Sequence, residues 1–67
     1  MNDYNELNVS ITELGNAAFE EDGGRYELAR ILRELARSIE EGRDMGALKD
    51  INGNIVGEYI LSKLMAN

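Results

Sequence analysis

The hydrophobic pattern is clearest over residues 25–41. Leu28, Leu32, Leu35 and Ile39 recur at spacings of 4, 3 and 4, which places them in one stripe of an α-helix. Ala29, Ile31 and Ala36 widen the stripe, while Arg30, Arg33, Glu34, Arg37, Glu40 and Glu41 fill the opposite side. Arg30 with Glu34 and Arg37 with Glu41 stand four apart, a spacing that adds a few tenths of a kcal/mol per pair. Gly42 follows as a residue that can end the helix with positive φ. Upstream, Asp22 or Gly24 is the natural N-cap, and acidic residues there suit the positive end of the helix dipole.

Before this helix, residues 7–12 alternate strictly, with Leu7, Val9 and Ile11 on one face and Asn8, Ser10 and Thr12 on the other. Alternation with β-branched residues predicts a half-buried strand, broken in phase at Leu14-Gly15. A helix capped by Ser10 or Thr12 is the rival, but Gly15 and Asn16 would interrupt it early. Residues 1–6 are polar and read as a frayed end. Residues 16–21 suggest a short helical turn, with Phe19 directed to the core. After the helix, two β-prone runs flank Asn52-Gly53, the strongest short-range hairpin signal. A two-residue turn at Asn52-Gly53 competes with a four-residue turn, Asp50-Ile51-Asn52-Gly53, that continues into a bulge. The second fits turn preferences better and sets Leu48 opposite Val56. Gly57 inside the second run suggests close approach by another backbone or an aromatic ring. Residues 64–67 read as a frayed tail.

The pattern therefore predicts a single α+β domain. One long amphipathic helix packs on a small sheet of about three strands, with a C-terminal β-hairpin. One helix covers one sheet face, so the other is left open, and Tyr59, Ile55 or the tail would make it adhesive.

Composition narrows the chemistry. A chain of 67 residues buries only about 60% of its unfolded surface. Scaffolds this small usually need a disulfide, a metal or a partner. The sequence has neither cysteine nor histidine, which removes disulfides, thiol nucleophiles, Cys/His zinc sites and imidazole acid–base chemistry together. Self-association is then an expected staple. Thirteen acidic against seven basic residues give a net charge of −6, which disfavours direct binding to nucleic acid or anionic membranes. No apolar run is long enough to span a bilayer, and the polar, acidic start is unlike a signal peptide, so a cytoplasmic location is expected.

Candidate chemistry is sparse. Arg30, Arg33 and Arg37 form a row that could grip carboxylates or phosphates, although alternating signs are usual on a solvated helix face. Glu20, Glu21 and Asp22 are consecutive and do not converge on a cation. Asp50-Ile51-Asn52-Gly53-Asn54 has a superficial likeness to a calcium loop, but Leu61 stands where the closing glutamate belongs. Gly23-Gly24 follows three acidic residues and lacks a P-loop lysine, so a nucleotide site is rejected. The reading is a protein that is not an enzyme and takes no cofactor or metal. Its partner-contacting residues would be Glu20, Glu21, Asp22, Arg30, Arg33, Arg37 and Tyr59.

Three runs, Asn16-Ala17-Ala18-Phe19-Glu20, then residues 27–36, then residues 48–57, resemble small proteins encoded by phages, prophages and conjugative plasmids. No activity or site residue transfers with the resemblance. It implies an adaptor or inhibitor acting on a bacterial host or defence protein. Two other readings compete: a DNA-mimic decoy occupying a basic nucleic-acid cleft, and a binder of a small anionic ligand at a homo-oligomer interface.

Overall fold

The structure, a computed structural model, describes residues 3–15, 19 and 21–63, the side chains of residues 21 and 22 excepted. In chain order it contains β1 (Tyr4–Ile11), a 3₁₀ turn (Glu21–Gly24), α1 (Arg25–Glu40), β2 (Met45–Lys49) and β3 (Ile55–Lys63). The three strands form one antiparallel sheet in the order β1-β3-β2. Strands β1 and β2 thus run parallel to each other on either side of β3, and α1 links them. This is the expected α+β architecture of one long helix on a three-stranded sheet with a C-terminal hairpin.

The start of β1 corrects the sequence reading. Tyr4 and Glu6 pair with Lys63 and Ser62, so the strand begins where a frayed end was expected. Polar side chains at both positions face solvent readily, which is why alternation alone did not reveal them. The strand ends as Glu13 adopts a left-handed backbone with φ 63°.

Both ends of α1 follow backbone logic. Gly24 is the N-cap with φ 88° and makes no side-chain cap bond. At the other end the Gly42 N–H donates to the Ile39 carbonyl and the Arg43 N–H to the Ser38 carbonyl, both at 3.0 Å. With Gly42 at φ 93°, this is a Schellman termination.

The hairpin uses the longer turn. The Gly53 N–H donates to the Asp50 carbonyl at 3.0 Å, and the Asp50 N–H donates to the Asn54 carbonyl at 2.9 Å. Past the turn the register slips. Lys49 faces Ile55, yet Leu48 faces Gly57, leaving Val56 as an extra residue in β3. This bulge turns Val56 to the same side as Gly57 and Tyr59. Leu48 therefore pairs with Gly57 rather than with Val56, although both Leu48 and Val56 are buried.

The core consists of Phe19, Ile31, Leu35, Leu48, Val56 and Tyr59, with Ile11 and Ile39 packed against it. Gly57 permits the close approach of β1. A Cβ there would overlap the Ser10 carbonyl oxygen and lie 2.9 Å from Ile11 Cα.

Candidate functional site

Two of the three arginines in the row pair with acidic side chains of α1. Arg30 turns back one helical turn, and its Nε and Nη2 donate to both carboxylate oxygens of Glu27, at 2.7 and 3.1 Å. Its Nη2 also donates to the Lys49 carbonyl at 3.1 Å. Arg37 pairs with Glu34 at 3.2 Å, while Arg33 is exposed. The i,i+4 partners expected for Arg30 and Arg37 are thus replaced by acidic residues three positions earlier. Arg30 makes this choice because Glu27 is held in place from a second side. The Ile51 N–H donates to Glu27 Oε2 at 2.7 Å, which fixes the hairpin turn to the first turn of α1.

Glu27 is buried, and it was not singled out in the sequence. The Arg30 guanidinium holds its carboxyl below the usual carboxylate range. Burial pushes the other way, and the Ile51 N–H adds to the lowering. Arg30 is raised in turn, chiefly by its hydrogen bonds to Glu27. Within the turn itself, buried Asp50 accepts the N–H groups of Asn52 and Asn54 through Oδ1, both at 2.9 Å. Glu27 and Asp50 therefore both hold the hairpin turn in place.

Tyr59 is a further correction. It is 2% exposed, and its hydroxyl donates to the Arg43 carbonyl at 2.9 Å. Its ring lies on Gly46, where a Cβ would come 3.2 Å from Tyr59 Cε1. Its side chain therefore belongs to the core and leaves almost no surface of its own exposed. Glu20 lies outside the described residues, as do the side chains of Glu21 and Asp22.

The sheet face away from α1 carries exposed apolar side chains. Register places Met45 beside Ile60, Ala47 beside Glu58 and Lys49 beside Ile55. Met45, Ile55 and Ile60 are between 42% and 65% exposed. Together with Ala47 and Glu58 they line a shallow depression of roughly 540 Å³ whose far edge is Thr12 and Glu13. No described element covers it. Large apolar side chains side by side with charged residues around them are what protein-contact surfaces present. Among the described residues no cluster of three acidic side chains could hold a metal, and no helix is long and apolar enough to cross a membrane.

The fold and this surface define a small α+β domain with an uncovered hairpin face. Comparison with family models, curated proteins and solved structures returns no match.

Proposed function

We propose that the protein is a non-enzymatic protein-binding domain and that its contact surface is the open hairpin face of Met45, Ala47, Ile55 and Ile60 around Glu58. The observation carrying this reading is the exposure of Met45 and Ile60, paired across β2 and β3, with exposed Ile55 further along the same face beyond Ala47 and Glu58. Such a patch costs solubility unless a partner covers it. The net charge of −6 favours a partner with basic residues around its own apolar centre. On the likeness to proteins of mobile elements, that partner is a bacterial host or defence protein. The anionic-ligand reading loses support because Arg30 and Arg37 are engaged with Glu27 and Glu34.

The test compares capture from bacterial lysate by the wild type and by Met45→Glu and Ile55→Glu variants, each checked for retained helix and sheet by circular dichroism. A protein retained by the wild type and lost with both folded variants supports the reading. Retention of nothing, or of the same proteins by all three, overturns it.

A further inference from the structure

Glu58 is exposed on the central strand, β3, among the apolar side chains of the hairpin face. Register sets it between Ser10 of β1 and Ala47 of β2, whose side chains are too short to cover it. The exposed pair Met45 and Ile60 lies two residues along the strands on one side of it, and exposed Ile55 lies on the other. Among the described residues no side chain pairs with Glu58, and Lys49, beside Ile55, makes no ion pair with it. A second carboxylate, Glu13, borders the same depression, and no described lysine or arginine lines it. Glu13 holds a left-handed backbone with φ 63°, a conformation that the turn alone would give to glycine or asparagine.

This placement constrains the chemistry of whatever covers the face. A surface that buries Met45, Ile60 and Ile55 together must also cross Glu58, which lies between them. An apolar surface would strip water from the carboxylate and return nothing, offsetting the gain from the apolar contacts. A neutral donor returns one ordinary hydrogen bond. A cationic side chain returns charge and hydrogen bonds together. Arginine suits the position best: its guanidinium is weakly hydrated, offers two parallel N–H groups to one carboxylate, and sits on an apolar stem. Resting on the hairpin-face reading, we propose that the partner of this face is a protein segment that presents a basic side chain, flanked by apolar ones, to Glu58. Met45, Ile60 and Ile55 take the flanking apolar side chains. Glu13 at the rim adds to the attraction that steers a basic segment in. Glu58 then sets specificity, because a partner with an apolar or acidic residue at that point leaves the carboxylate buried without a counter-charge.

A yeast-displayed library of random peptides, selected on the full chain, tests this. Enriched peptides are synthesised and titrated calorimetrically against the wild type, Glu58→Gln and Met45→Glu, with circular dichroism as the check on folding. The expected peptides share an arginine or lysine among apolar residues. Glu58→Gln, and glutamine in place of the peptide's basic residue, each weaken binding by at least about tenfold, and the two changes together lose far less than the product of the two losses. Met45→Glu weakens binding as well. Peptides that lose affinity on Met45→Glu but keep it on Glu58→Gln overturn the proposal and leave the hairpin-face reading standing. Binding that survives both variants overturns both, by placing capture elsewhere on the chain. A library that yields no peptide specific for the wild type also overturns the proposal, while the lysate comparison still decides the hairpin-face reading.

Discussion

The carboxylate of Glu27, in the first turn of α1, accepts the backbone N–H of Ile51, in the hairpin turn, at 2.7 Å. The same carboxylate takes two hydrogen bonds from Arg30, which itself reaches the Lys49 carbonyl. Helix and hairpin are thus latched at one end by a charged, mostly buried group. Glu27→Ala removes the acceptor of Ile51 and the partner of Arg30 together. The expected loss is about 2 kcal/mol, a large share of the roughly 3–5 kcal/mol available to a core of this size. Glu27→Gln keeps an acceptor for Ile51 and should lose less. Urea denaturation of the three proteins measures both, and equal stability of wild type and Glu27→Ala would contradict the latch.

The same group sets a pH dependence. Its folded carboxyl is held below the ordinary range, first by Arg30. A group lowered on folding stabilises above its unfolded value, near pH 4.3, and that stability disappears as pH falls through the lowered folded value. Wild type should therefore lose stability more steeply than Glu27→Gln on acidification below about pH 4.5. The two urea midpoints should converge at the acid end. Parallel curves would show that Glu27 titrates alike in folded and unfolded chains.

Most of the frame was legible in the sequence because it rests on local rules. The 4-3-4 stripe marked the helix, Gly42 its end, Asn52-Gly53 the hairpin, and Gly57 the close approach of a neighbouring backbone. What was not legible depends on which part of a pattern meets the sheet. The apolar arc of α1 is broad, running from Ile31 through Leu35 and Leu28 to Leu32 and Ala36. Only tertiary packing decides that Ile31 and Leu35 are buried while Leu32 is not. That rotation also carries Glu27 inward, against its charge. Tyr59 escaped for a different reason. Unbroken alternation puts Ile55, Gly57 and Tyr59 on one face, but the bulge at Val56 reverses the phase, so Ile55 faces outward and Tyr59 inward. On the hairpin's outer face, Met45 and Ile60 stand exposed where the sequence pointed to Tyr59.

Gly57 should be the least replaceable glycine. In Gly57→Ala the new methyl meets the backbone of β1 at Ser10 and Ile11, which cannot yield as a side chain can. The expected cost is about 3 kcal/mol or more. Gly53→Ala is the comparison. Open space surrounds Gly53, and its φ of 87° alone is strained by a side chain, at about 1 kcal/mol. Thermal unfolding should rank wild type above Gly53→Ala above Gly57→Ala. A reversed order would mean that β1 does not approach β3 as described.

Tyr59 separates a packing role from a binding one. Tyr59→Phe keeps the ring on Gly46 and deletes only the hydroxyl that donates to the Arg43 carbonyl. Arg43 is exposed, so water can take over part of that bond, and the expected loss is about 1 kcal/mol. Tyr59→Ala also empties a space in the core that holds Val56 and Leu48, and should cost about 3–5 kcal/mol. Because the ring lies on the helix side of the sheet, Tyr59→Phe leaves the outer face of Met45, Ile55 and Ile60 untouched. Its partner capture should equal that of the wild type while its melting temperature falls. Loss of capture by a folded Tyr59→Phe protein would instead assign the tyrosine to the binding surface and displace the hairpin-face reading.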